Sequence, residues 1–144
     1  MPILETPPRP QSKAKGSPEM RIQSACVSWF WNTYPQYREL YFCVPNENAR
    51  ADSNAITGAI RRASGVIKGV SDTILFLPRG GYHALCVEFK TEVGRQSDAQ
   101  KAWQFKVEQQ GYRYEVVRSL EEFKKLIIEY ENDRGWSERV RFGK

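Results

Sequence analysis

The sequence predicts an α/β fold in which a central mixed β-sheet is flanked by helices. Two features of the 144 residues point there. Helix-forming and β-prone segments follow one another in the order helix, strand, helix, strand, strand, helix, strand, helix, with no internal repeat. The composition, 40% apolar and 27% charged, is that of one globular domain with its own core.

Residues 1–18 hold five of the eight prolines, with Lys13 and Lys15 among Gln, Ser and Gly, so a flexible basic arm is expected there. Pro18 is placed to open a helix, and Ile22, Cys26 and Trp29 recur along residues 19–32 as a helical stripe. Residues 41–44 form a short β-prone run ended by Pro45, followed by a polar segment over 46–50. A helix over 54–64 carries Arg61 and Arg62 and is closed by Gly65. Residues 73–77 read as a buried strand, Pro78-Arg79-Gly80-Gly81 as a turn, and 82–90 as the returning strand of a hairpin. Ser97 and Gln100 make a capping box for a helix that runs to Gln110 and stops at Gly111. Residues 112–117 form another strand. Ser119 and Glu122 then open a last helix that buries Leu120, Phe123, Ile127 and Tyr130.

Composition also excludes whole classes. No apolar stretch approaches the roughly 18 residues of a transmembrane helix, and no apolar h-region follows the amino terminus as in a secretory signal. Cys26, Cys43 and Cys86 lie among apolar neighbours without CxxC spacing, which suits reduced core thiols in a reducing cytoplasm rather than zinc or a disulfide framework. The one histidine, His83, would have to serve any Ser-His-Asp or Cys-His site, and its Gly80-Gly81-Tyr82-His83 context reads as hairpin structure. Lys and Arg exceed Asp and Glu by 22 to 17, a net charge of +5 that favours a polyanionic partner.

The residues that carry chemistry meet across the hairpin. Asp72 stands at the mouth of the outgoing strand. On the returning strand Glu88 and Lys90 are two apart and share a face, with the small Ala84 and Cys86 on that same face and Phe89 turned away. Two neighbouring carboxylates repel, and one keeps its proton unless a cation neutralises them. Hard oxygen donors of this kind suit Mg²⁺ or Mn²⁺, and a lysine beside them can orient a metal-bound water or meet transition-state charge. A cross-strand salt bridge on a solvated face is the alternative reading of Glu-x-Lys. Glu19, near the start of the first helix, is either a first-turn charge favoured by the helix dipole or part of the site.

The pattern resembles the PD-(D/E)xK nuclease core, with Ser71-Asp72 at the Pro-Asp position and Glu88-Phe89-Lys90 as (D/E)-x-K. More narrowly, Val44-Pro45-Asn46-Glu47, Gly65-Val66-x-x-Gly69-Val70-x-Asp72, Gly80-Gly81-Tyr82-His83, Glu88-Phe89-Lys90 and Ser97-x-x-Gln100-x-x-Trp103 are similar to the VRR-NUC branch, which includes small stand-alone phage and bacterial proteins. The resemblance implies a restriction-endonuclease-like core over residues 19–131, followed by a basic tail over 132–144. It implies that Asp72, Glu88, Glu19 and the Phe89 backbone carbonyl ligate Mg²⁺ or Mn²⁺, that Lys90 acts on the nucleophilic water, and that Gln100 positions substrate or water. Ser71 departs from the family's usual proline. A bacterial cell or phage-infected host is the implied setting.

DNA is the expected partner. Asn46 and Arg50, in the Pro-Asn-Glu loop, can touch it or simply form a turn. Arg61, Arg62, Lys68, Arg95 and Lys101 surround the site in sequence and can neutralise phosphates, or stand as solvated charge. Nothing resembles a base-reading module, so branched or structured DNA such as a Holliday junction is the expected substrate. A two-fold junction favours a homodimer, with Trp103, Phe105 and Val107, or Trp31 and Tyr34, as its surface. The rival expectation is a DNA-binding or assembly module that keeps the fold without turnover.

Overall fold

A computed structural model describes residues 16–45 and 55–134. The expected arm before residue 16, Asn46 and Arg50, and the tail beyond 134 lie outside the described residues.

The amino-terminal helix α1 (Pro18–Thr33) starts where proline places it, and Ser17 caps it by accepting from the Met20 amide at 3.2 Å. A 3-10 helix, Pro35–Leu40, follows and leads into β1 (Tyr41–Cys43). Then come α2 (Ala55–Ala63), β2 (Thr73–Leu75), β3 (Leu85–Phe89), α3 (Asp98–Gln109), β4 (Arg113–Val117) and α4 (Leu120–Asn132). The four strands form one mixed sheet in the order β1-β2-β3-β4. β1 and β2 pair antiparallel, as do β2 and β3, while β3 and β4 run parallel with α3 as the crossover.

The expected hairpin is present. Arg79 and Tyr82 bridge across a two-residue turn whose glycines, Gly80 and Gly81, have φ of 59° and 89°, values that side-chain-bearing residues rarely adopt. Its strands are shorter than the apolar runs suggest. The Leu77 amide turns back to the Leu75 carbonyl, and the His83 amide donates to Gly111 after α3, so both residues leave the β2–β3 ladder. His83 thus ties the end of the hairpin to the turn after α3, its ring set edge-on to Tyr112.

Period-2 alternation gives β3 two different faces. Leu85, Val87 and Phe89 enter a core with Cys26 and Phe30 of α1, Tyr41 and Leu75 of the sheet, and Phe123, Ile127 and Tyr130 of α4. Burying each large apolar side chain of this set stabilises the fold by about 1.5–3 kcal/mol. Cys86 and Glu88 face the other way, toward α3. Trp31 and Tyr34 are half-buried: Trp31 Nε1 donates to the Tyr41 carbonyl at 3.0 Å, and Tyr34 packs on Phe30 with ring centroids 5.3 Å apart. Phe105 on α3 is exposed, whereas Trp103 and Val107 are half-buried. Cys26 and Cys86 are buried thiols raised by burial to about 12 and about 11, but Cys43, on the edge strand, faces outward. No helix among the described residues is long and apolar enough to cross a membrane.

Candidate active site

The β2–β3 register pairs Thr73 with Val87, so the next residues out, Asp72 and Glu88, come side by side where the strands begin to part. Asp72 is held there by the backbone: its Oδ2 accepts the Phe89 amide at 2.7 Å. Ser71, in place of the proline common at this position, is buried and donates to the Thr73 carbonyl at 3.0 Å, so it fixes the same bend by a hydrogen bond. Glu88 is only 1% exposed. Burial raises its carboxyl to about 8, the adjacent Asp72 charge adds to the rise, and Lys90 opposes it. Burial also raises Asp72, against the Phe89 amide, a hydrogen bond from Glu88 and the Lys90 charge. The two carboxyls therefore share one proton near neutrality, with Glu88 donating to Asp72.

Lys90 closes this group. Its Nζ lies 3.9 Å from Glu88 Oε1, and its side chain is 11% exposed. Lys90 does pair with a carboxylate, as the alternative reading has it, but with Glu88 two residues back along the same chain and inside rather than on a solvated face. A buried pair of this kind contributes little net stability.

Gln100 completes it from α3. The expected capping box is present in full: Gln100 Oε1 accepts the Ser97 amide at 2.8 Å, and Ser97 Oγ accepts the Gln100 amide at 3.2 Å. With its oxygen committed to the cap, the amide turns its nitrogen to Glu88 and donates to Oε1 at 2.7 Å. Gln100 thus meets the acidic pair itself. Gly69 (φ 88°) lets the strand bearing Asp72 approach α3 this closely, since a Cβ there would collide with the Ala99 carbonyl and stand 2.9 Å from the Gln100 nitrogen.

Glu19 is not gathered into the pair. Its helix lies on the Phe89 side of the sheet, and its Oε1 stands 3.4 Å from where a Cβ on Gly94 would be, in the loop after Lys90. Among the described residues, no three His, Cys, Asp or Glu side chains are grouped to hold a metal. The expected grouping of three carboxylates is therefore not seen among the described residues, and Asp72 and Glu88 stand as a pair. That set still fits Mg²⁺ or Mn²⁺: Mg²⁺ is commonly held by one or two carboxylates with waters and substrate phosphates filling the rest, and a pair forced to keep a proton is short of positive charge.

Lys68, Arg95 and Lys101 are exposed, and their places in the chain lie near the start of α3. Lys68 precedes the Gly69 approach, Arg95 lies two residues before the Ser97 cap, and Lys101 follows Gln100. Arg61 and Arg62 lie in the last turn of α2.

Two positions escaped sequence reasoning. Tyr114 of β4 brings its hydroxyl 3.4 Å from Glu88 Oε2. Arg118 Nη1 donates to the Thr91 and Gly94 carbonyls at 2.6 and 2.7 Å and so pins the loop that follows Lys90. Both depend on the parallel β3–β4 pairing, in which Cys86 faces Tyr114 and Phe89 faces Val117. No local pattern signals that adjacency.

Residues 11–121 match the profile of the VRR-NUC domain. The fold is similar to that of a solved VRR_NUC domain protein, with a TM-score of 0.67 and 22% identity, covering 81% of this chain and 89% of that one. None of the curated proteins matches the chain. The profile spans more than half of the sequence, and the chain belongs to the VRR-NUC domain family, a family of nucleases.

Proposed function

We propose that this protein is a Mg²⁺- or Mn²⁺-dependent DNA endonuclease, selective for branched duplexes such as four-way junctions and acting as a homodimer. The observation that carries this reading is the buried Asp72–Glu88 pair with Lys90 Nζ 3.9 Å from Glu88, in a chain of a nuclease family. Asp72 and Glu88 would hold the cation in place of their shared proton. When bound, such a cation polarises the scissile phosphate and lowers the pKa of the attacking water. Gln100 keeps Glu88 aimed by its hydrogen bond to Oε1. Lys90, anchored by its backbone amide on the Val117 carbonyl at 3.0 Å, presents positive charge where water is oriented and phosphate charge develops. A homodimer places two such centres symmetrically, as paired cuts in a junction require.

Magnesium titration against labelled four-way and linear DNA tests this. Wild-type protein should cut the junction only with metal, and Lys90→Ala should cut at least about 100-fold more slowly, as expected for loss of a group acting on the water or the phosphate. Junction binding without metal-dependent cutting would instead establish the module that keeps the fold without turnover.

Lys68, Arg95 and Lys101 supply the phosphate contacts nearest the acidic pair. Affinity for DNA should fall steeply with salt as counterions are released. Lys68→Ala and Arg95→Ala should each weaken binding regardless of sequence and flatten the slope of log affinity against log salt by about one unit. An unchanged slope would assign these side chains to solvent alone.

A further inference from the structure

Tyr114 joins the acidic pair from the neighbouring strand. Its residue is 6% exposed, and its ring packs on Trp103 with centroids 6.1 Å apart. On the side away from Glu88, the phenol oxygen accepts from Gln96 Nε2 at 3.2 Å, and the same nitrogen donates to Gln104 Oε1 at 2.9 Å. A side-chain amide nitrogen has two hydrogens and accepts nothing, so both hydrogens are committed. The phenol oxygen is therefore an acceptor toward Gln96, and its own hydrogen must point elsewhere. Glu88 Oε2, 3.4 Å away, receives it. The donors run in one direction, from Gln96 to Tyr114 to Glu88, and Gln104 sets that direction by accepting the second Gln96 hydrogen. Gln100 meanwhile holds the other oxygen, Oε1, at 2.7 Å. The glutamines at 96, 100 and 104 thus act together: one grips Glu88 directly, and two do so through the phenol.

We infer that Tyr114 is a positioning residue: its hydroxyl, aimed by Gln96, holds the Glu88 carboxylate facing Asp72 and so sets how tightly the pair binds a divalent cation. The inference rests on the metal-binding reading above. A 3.4 Å separation is long for an O–H···O bond, so the contact orients the carboxylate more than it stabilises the fold. Its loss should appear in metal affinity and leave the melting temperature largely unchanged.

Mn²⁺ binding to the full chain without DNA, followed by titration calorimetry, provides the test. Tyr114→Phe keeps the ring on Trp103 and removes only the hydroxyl. It should weaken Mn²⁺ binding about tenfold, the lower end of what losing a hydrogen-bond partner of a metal ligand costs, with cleavage recovering at raised Mn²⁺. Gln96→Met should weaken binding less, and the double variant should be no worse than Tyr114→Phe, because Gln96 acts through the phenol. If Tyr114→Phe binds Mn²⁺ as wild type does, while Asp72→Asn loses binding, the inference is overturned and the metal site stands. The same holds if Tyr114→Phe only melts earlier. Wild-type protein that binds no Mn²⁺ would overturn both.

Discussion

Replacing Asp72 with Asn or Glu88 with Gln is expected to lower DNA cleavage by about 1000-fold or more, roughly 4 kcal/mol of barrier lowering, without unfolding the protein. Each substitution preserves shape and removes one carboxylate from a site that has two. An amide is a poor ligand for Mg²⁺, which takes hard, charged oxygen donors and gives up its waters reluctantly. Neither change disturbs the apolar core, because Glu88 faces α3 and the core lies across the sheet with Leu85, Val87 and Phe89. In Asp72→Asn the side-chain carbonyl oxygen can still accept the Phe89 amide, so the strand opening is retained. Cleavage of junction DNA by the purified variants, with circular dichroism to verify folding, decides the matter. Undiminished cutting by either would remove the acidic pair from the mechanism.

The same pair is expected to make the metal-free protein lose stability as the pH rises. Glu88 is raised in the folded state from 4.5 to about 8, by burial first and the Asp72 charge second. Between those values the unfolded chain releases a proton that the folded chain keeps, so the folded state binds more protons and unfolding becomes easier with each step up in pH. One fully linked group changes stability by roughly 1.4 kcal/mol per pH unit. Above about pH 8 the folded carboxyl has ionised as well, and the loss levels off. Asp72, also raised by burial, acts with the same sign. Glu88→Gln mimics the protonated acid: its amide can donate to Asp72 and accept from Gln100. In chelator, its melting temperature should match wild type near pH 5 and exceed it clearly toward pH 8, where the difference is of the order of a few kcal/mol. A wild-type melting temperature that holds level or climbs over that interval would mean that the carboxyls do not share a proton.

The parts of the site legible in the sequence are those that depend on parity and on short-range caps. The spacing of Glu88 and Lys90, the Gly80-Gly81 turn and the Ser97–Gln100 box each specify geometry within one element or one hairpin, and the folded chain has all three. What stayed hidden depends on which elements become neighbours. Tyr114 and Arg118 act only because β4 lies beside β3. Helix chemistry alone favours reading Glu19 as a dipole partner over a ligand, and α1 packs on the Phe89 side of the sheet, opposite Glu88. Helical periodicity likewise could not reveal that Trp31 bonds to the Tyr41 carbonyl of β1.

The double use of Gln100 has a dynamic consequence. Its oxygen nucleates the first turn of α3 through Ser97, and its nitrogen grips Glu88, so one side chain cannot let go of the helix end without loosening the carboxylate. A capping interaction worth about 1 kcal/mol corresponds to a factor of about five between the closed and frayed turn. Transient fraying at that helix end and misalignment of the acidic pair are then a single local opening, and the exchange rate of the Ser97 amide hydrogen becomes a clock for how often the geometry of that pair dissolves and re-forms.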